Sequence, residues 1–307
     1  MLDDALTWQP TAPLHPLDLP WLRQAGVQVA VLRLDLIDPL ISGNKWFKLI
    51  GHLQAAAAQD AAGVISLGGA HSNHLHALAA AGKRFGFATV GLLRGHEQLT
   101  PTVQDLQDFG MQLHWLGYGG YRQRHQADFW GPWQAQYPQF QPVAEGGGGA
   151  AGLIGCAQLL PMVTGQLAGL GWEDYHGWWL AAGTGTTLAG LVRAEAGAHR
   201  VFGALAVPDD HGVAGNVAGL LQASGSGYEL LDASRGGFAK ADARLLAFIR
   251  DSEQQSGMPL EALYTGKALL ALHQAVMAGR FASGTRLLFV HTGGLQGKRA
   301  SVSVSGT

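Results

Sequence analysis

GVISLGGAHSNHLHALAAAGKRFGFATVGLL, residues 63–93, reads as a strand, a turn, a helix and a second strand. Gly63 to Leu67 is a short apolar run of buried-strand length, and Gly68 to His71 supplies small turn residues. Ser72 is of N-cap type and precedes an Ala-rich stretch that reaches Arg84. Ala88 to Leu93 returns to apolar and β-branched residues. A strand, a helix and a strand joined this closely imply a parallel sheet.

The same period extends in both directions. Upstream, Val27 to Leu36 has the composition of a strand, and Gly43-Asn44 ends the connection before an apolar-periodic helix from Lys45 to Gln59. Downstream, Val103 to Phe109 reads as a helix, Gln112 to Leu116 as a strand and Gln123 to Tyr137 as a helix. Gln141 to Ala144 leads into Glu145-Gly146-Gly147-Gly148-Gly149-Ala150, a hinge between two such sheets. A second series follows, with Leu153 to Leu170 helical, Gly177 to Ala182 a strand, and Gly183-Thr184-Gly185-Thr186-Thr187 a glycine turn opening another helix. Val201 to Leu205 and Leu287 to Val290 are further strands, Ala241 to Gln254 and Gly266 to Met277 further helices, and Ser301 to Thr307 a flexible tail.

With 307 residues the chain exceeds the usual single-core size. Hydrophobic residues make up 47% and charged residues 14%, with 45 glycines, a composition of packed α/β proteins and not of disordered ones. The net charge is -2, from 20 basic and 22 acidic residues without a basic block, which excludes the usual signatures of nucleic-acid and membrane-surface binding. Cys156 is the single cysteine, so no intramolecular disulfide framework and no cysteine zinc pattern exists. Residues 1–22 carry Asp3, Asp4 and several prolines without a signal-peptide core, and no apolar run has the length of a membrane span. A soluble, cytoplasmic protein acting on small molecules is the expectation.

Two segments carry the chemistry. Ser42-Gly43-Asn44-Lys45 sets a primary amine at one helix start, and Gly68-Gly69-Ala70-His71-Ser72-Asn73-His74 sets a hydroxyl at another. An amine attacks an aldehyde only when partly neutral, and desolvation or the positive end of a helix dipole shifts it that way. Lys48, three residues on, is assigned the solvated position, and Lys45 the reactive one, because it follows Gly-Asn, where backbone can approach a ligand closely. Gly183 to Thr187 follows a strand and opens a helix, so its N–H groups and hydroxyls suit a phosphate; it has neither a dinucleotide fingerprint nor a P-loop lysine. An ordinary glycine turn and a plain N-cap at Ser72 are the competing structural readings. His71, His74 and His76 do not share one helix face, and no metal site is assigned. Trp130, Trp133, Trp178 and Trp179 are read as core or interface aromatics.

Six stretches together resemble the fold type II pyridoxal phosphate enzymes, and within them the 1-aminocyclopropane-1-carboxylate deaminase and D-cysteine desulfhydrase family. They are Leu32 to Leu49 (LRLDLIDPLISGNKWFKL), Leu67 to Leu75 (LGGAHSNHL), Gly146 to Gly155, Ala182 to Gly190 (AGTGTTLAG), Leu263 to Lys267 (LYTGK) and His291 to Gly294 (HTGG). The resemblance covers most of the chain. It implies an α/β fold of two domains with three-layer αβα open sheets, like the tryptophan synthase β subunit. Residues 1–49 with 148–307 would form the larger domain and residues 50–147 the smaller one, with pyridoxal 5'-phosphate between them.

By this resemblance Lys45 is the Schiff-base lysine, Gly183, Thr184, Gly185, Thr186 and Thr187 hold the cofactor phosphate, and Asn73 bonds the phenolic oxygen. Ser72, Asn73, His74 and Tyr264 surround a small amino-acid substrate, with Lys45, Ser72 and Tyr264 catalytic. The deaminases place a glutamate where this chain has Thr265, facing the pyridine nitrogen, whereas the desulfhydrases place a threonine. A hydroxyl there permits a neutral ring and favours α,β-elimination from D-cysteine to pyruvate, ammonia and sulfide over opening of a cyclopropane. Around Gly236-Gly237-Phe238-Ala239 the family offers a tyrosine where this chain has Phe238. Deaminase-like ring opening, a non-catalytic pyridoxal phosphate protein and an unrelated phosphate-ligand protein are the alternatives. A homodimer is expected, without nucleic-acid or membrane partners.

Overall fold

A computed structural model describes residues 2–222, 226–237 and 239–298. Phe238 and the Ser301 to Thr307 tail lie outside the described residues. The strands are β1 (Leu14–Leu17), β2 (Gln28–Arg33), β3 (Gly63–Gly68), β4 (Ala88–Leu93), β5 (Gln112–Trp115), β6 (Phe140–Val143), β7 (Gly177–Ala182), β8 (Arg200–Leu205), β9 (Tyr228–Asp232) and β10 (Arg286–His291). They build two open sheets, each in its own compact unit.

The first unit comprises Met1–Pro10, Asp38–Gly155 and Gln296–Thr307. Its sheet has the order β5-β4-β3-β6 and is parallel throughout. Strand residues alternate between faces. Ile65, Leu67, Val90 and Leu92 point to one side, against Tyr121 and Phe129. On the other side Ser66 meets His74, and Thr89 lies so close to Gly82 that a Cβ there would come within 2.6 Å of it. The helix Asn73–Phe85 therefore needs glycine at 82 to sit down on the sheet.

The second unit comprises Thr11–Ile37 and Cys156–Leu295. Its order is β1-β2-β10-β7-β8-β9, parallel except for the antiparallel edge strand β1. Trp179, Ala181, Phe202 and Ala204 face one core with Ala268, Leu269 and Leu272 of the helix Thr265–Met277. Gly203, of opposite phase, faces Leu188 of the helix Thr186–Glu195, and a Cβ on it would come within 2.3 Å of that leucine. Both units are thus helix–sheet–helix layers.

The strands at 63, 88, 177, 200 and 286 and the helices starting at 45, 73 and 265 fall where the periodicity puts them, within a residue or two. Two long helices do not form. Residues 123–137 are a 3-10 turn, Gln123–His125, and a separate short helix, Gly131–Gln136, because Pro132 biases Gly131 away from continuing a helix and serves instead near a new start. Residues 153–170 are divided among Gly149–Cys156, Leu159–Thr164 and the 3-10 turn Leu167–Leu170, with Pro161 in a first turn where no N–H is required. Strands β1 and β9 and the helix Val213–Leu221 are additions to the sequence reading. No helix of the described residues is long and apolar enough to cross a membrane.

Candidate active site

In the first unit Lys45 is the first residue of the helix Lys45–Ala57 and is half-buried, its Nζ 3.3 Å from Asn44 Oδ1. Lys48 is only 4% exposed, which corrects the expectation that it is the solvated member of the pair. The reason is the helix itself, buried at each position from Trp46 to Leu53. Ser72 caps the helix Asn73–Phe85, its Oγ accepting the Leu75 N–H at 3.2 Å. Asn73 Oδ1 accepts from Gln296 Nε2 at 2.7 Å, so the Ser-Asn pair is tied to the segment that follows His291-Thr292-Gly293-Gly294.

His74 turns inward. Ser66 Oγ donates to the Val143 carbonyl at 2.8 Å, which leaves the serine to accept from His74 Nε2, also at 2.8 Å. The tautomer is therefore Nε2–H, and Nδ1 is a buried acceptor without a hydrogen-bond partner among the described residues. Burial, and then the charges of Lys45, Lys48 and His52, push the His74 imidazole well below its ordinary value. His76 pairs instead with Asp105 at 3.1 Å, a partner 29 residues away that its neighbours in sequence do not disclose, and His71 is exposed. The three histidines diverge.

In the second unit the glycine turn follows β7 directly. Gly185 has φ +80°, and a Cβ there would come within 2.3 Å of Val217 Cγ2. It is the N-cap of the helix Thr186–Glu195 and brings no side chain of its own to cap it. Thr184 and Thr186 hydroxyls stand 3.2 Å apart at its mouth. The Tyr264 ring lies over Gly183, where a Cβ would meet Cε1 at 2.9 Å, so the AGTGTTLAG and LYTGK segments are brought together.

Thr265 is fully buried, and its hydroxyl is engaged by Glu261, accepting that residue's N–H at 3.0 Å and donating to its carboxylate at 3.0 Å. Glu261 escaped the sequence reading. Its carboxylate accepts the N–H groups of Leu263, Tyr264 and Thr265 at 2.5–2.8 Å, the last two residues ahead of the helix Thr265–Met277 and its first. Desolvation pushes this carboxyl up while those bonds oppose the rise. An acidic residue just ahead of a helix was the signal available. A second network joins two more of the quoted segments: Asp35 accepts both Nε and Nη2 of Arg33, at 2.8 and 2.6 Å, and lies 3.2 Å from His291 Nδ1.

These groups fit pyridoxal 5'-phosphate by donor chemistry. The first unit offers a primary amine, a hydroxyl and an amide; the second offers a helix start open to an anion, with aromatic cover beside it. The fold is that of the fold type II pyridoxal phosphate enzymes. A solved structure of a homologue of 1-aminocyclopropane-1-carboxylate deaminase superposes with a TM-score of 0.80 over 97% of this chain and 95% of its own, at 24% identity. A hydrogen sulfide-producing enzyme of Fusobacterium nucleatum does so with 0.70 over 94% and 95%, at 11% identity.

In sequence, a Pyrococcus horikoshii protein named provisionally as a 1-aminocyclopropane-1-carboxylate deaminase is 28% identical, over 90% of this chain and 87% of its own. The mitochondrial bifunctional D-cysteine desulfhydrase/1-aminocyclopropane-1-carboxylate deaminase of Arabidopsis thaliana is 27% identical, over 93% and 76%. No family model matches the chain. The chain is thus similar in sequence to proteins named as 1-aminocyclopropane-1-carboxylate deaminases and as a D-cysteine desulfhydrase, along the direction its motifs indicate.

Proposed function

We propose that this chain is a pyridoxal 5'-phosphate-dependent lyase that eliminates the β-substituent of a small amino acid, with D-cysteine the substrate and pyruvate, ammonia and sulfide the products. The observation that carries the reading is the glycine turn Gly183–Thr187, open at a helix start and covered by Tyr264 at Gly183. At position 265 the chain has threonine and not glutamate, which supports elimination over ring opening by the absence of a carboxylate there; the threonine's own proton is given to Glu261.

When bound, the cofactor supplies the electron sink for the pair left at Cα. The N–H groups and hydroxyls of Gly183 to Thr187 hold its phosphate. Lys45 would hold the cofactor through its Nζ, and its amine would serve as the base for the Cα proton. Ser72 and Asn73 orient the substrate. Tyr264 stands for protonation of the departing sulfur. His74 is assigned a supporting part only, because its Nε2 is committed to Ser66 inside the first unit. The reading draws on residues of both units. A homodimer in the cytoplasm belongs to the same proposal.

The test is the visible spectrum of protein reconstituted with pyridoxal phosphate, before and after D-cysteine, with pyruvate and sulfide assayed together. A visible band that shifts while pyruvate forms is the expected result. Release of 2-oxobutyrate from 1-aminocyclopropane-1-carboxylate with no reaction of D-cysteine would reverse the substrate choice, and absence of any visible band would remove the cofactor. Lys45→Ala should lose turnover by at least about a thousandfold, as loss of an essential nucleophile and base does; retention of full turnover would overturn its assignment.

A further inference from the structure

Lys267 closes the Leu-Tyr-Thr-Gly-Lys stretch, and the proposed chemistry makes no use of it. It is 1% exposed. Its Nζ donates to three backbone carbonyls, Ala206 at 3.1 Å and Ser234 and Gly237 at 2.9 Å each. An ammonium has three N–H bonds, and each meets an acceptor. The acceptors come from two separate connections, one leaving β8 and one leaving β9. Between Ser234 and Gly237 the backbone passes through the left-handed region at both Arg235, φ +58°, and Gly236, φ +75°. That conformation costs energy for arginine, and it is the one that presents the carbonyls on either side to the lysine.

The connection after β8 reaches the glycine turn within the second unit, and the connection after β9 is bound to it through Lys267. Ala206, whose carbonyl the lysine holds, donates its own N–H to the carbonyl of Ala182 at 3.0 Å, the residue before Gly183. Beyond Ala206 the chain runs into the helix Val213–Leu221, and Val213 and Val217 of that helix pack against Gly185. Burial pushes the Lys267 ammonium down, while Glu261 and Asp232 oppose the shift. A cavity of about 90 Å³ lined by Asp232, Arg235, Leu270 and Gln274 adjoins the side chain. It gives room for small ions to enter if the side chain is removed.

We propose that Lys267 is a tethered monovalent cation: a positioning residue that binds the connections after β8 and β9 to each other and so sets the spacing of the phosphate-holding turn. The link to phosphate rests on the function proposed above; the cation role does not. Without the lysine, three carbonyls converge on an empty point, which is the donor set of a site for ammonium or potassium.

The experiment compares wild type, Lys267→Met and Lys267→Ala in ammonium, potassium and tetramethylammonium chlorides at equal ionic strength. Pyridoxal phosphate affinity is read by spectrophotometric titration and stability by the thermal midpoint. Wild type should be indifferent to the cation. Lys267→Met should bind the cofactor at least about tenfold more weakly, since unsatisfied buried acceptors destabilise the turn's support. Lys267→Ala should recover midpoint and affinity in ammonium or potassium, and not in tetramethylammonium, which is too large for the three carbonyls. If Lys267→Ala is obtained only by refolding, refolding yield in the same salts decides: ammonium must raise it over tetramethylammonium. A Lys267→Ala midpoint or yield indifferent to the cation would overturn the cation role, and Lys267→Met affinity equal to wild type would overturn the coupling to the turn. Failure of wild type itself to take the cofactor would count against the proposed function, while the thermal comparison would still decide the cation role.

Discussion

The starts of the helices Thr265–Met277 and Thr186–Glu195 meet the same requirement in opposite ways. Each begins with N–H groups that the helix cannot satisfy internally. At Thr265 the chain brings its own carboxylate, Glu261, which takes the Thr265 N–H and hydroxyl together with the N–H groups of Leu263 and Tyr264 just ahead of the helix. At Thr186 the preceding residue is a left-handed glycine, which brings no side chain of its own. The first is closed by the protein, the second is suited to an anion from outside. In the first unit, the Ser72 start is intermediate, since a neutral hydroxyl takes one N–H. Gly185, which has no side chain of its own to cap with, is the helix start that the proposed phosphate assignment uses.

The largest expected effect breaks the closed start. Glu261→Ala leaves buried N–H groups unpaired and should lower stability by roughly 3 kcal/mol or more, measured by urea unfolding. A loss under about 1 kcal/mol would show that water replaces the carboxylate there.

Next comes the open start. Gly185→Ala puts a Cβ on Val217 at a positive φ, a strain of about 1–3 kcal/mol. Cofactor affinity should fall about tenfold or more in titration. Unchanged affinity would mean that the turn does not hold the phosphate.

A pH experiment sharpens the intermediate case. The folded His74 pKa lies below the value of the unfolded chain, so folding favours the neutral ring. Stability from this group is fully present above pH 6.5 and is lost as pH falls from there toward the depressed folded value. One such histidine contributes a slope of up to about 1.4 kcal/mol per pH unit. His52, also depressed by burial, adds to it. His74→Gln should flatten stability against pH below 6.5 by close to one proton, as denaturation at a series of pH values would show; an unaltered slope would mean that His74 is protonated in the fold.

The smallest effect is at the serine cap. Ser72→Ala should cost about 1 kcal/mol of stability if Ser72 is only a cap. Turnover falling by more than tenfold at that modest cost would separate a substrate role from a capping one.

Much of this was legible in the residues. Alternation of apolar runs with helical periodicity gave parallel α/β units, and Gly183 to Thr187 and Ser72 stood at helix starts as their residue types require. What escaped were effects that depend on partners distant in the chain. Lys48 looked like a solvated neighbour of Lys45, but a helix buried at each position from Trp46 to Leu53 leaves no solvated side there. Glu261 and Lys267 carry no assigned role in the sequence, and tertiary structure surrounds one with N–H groups and the other with carbonyls. Prolines 132 and 161 divided segments whose periodicity alone read as continuous helix.

The strand order carries one more consequence, for the timing of folding. The four strands of the first unit's sheet come from residues 63–143, a single uninterrupted stretch. In the other sheet β2, near the beginning of the chain, pairs with β10, near its end, across some 250 residues. Closure of so long a loop is slow and waits for the last strand to be synthesised. On the ribosome the parallel sheet of residues 63–143 can therefore assemble early, while β1 and β2 stay without their inner neighbour until residue 291 has emerged, and a chain cut short before β10 should display an unpaired strand edge open to aggregation.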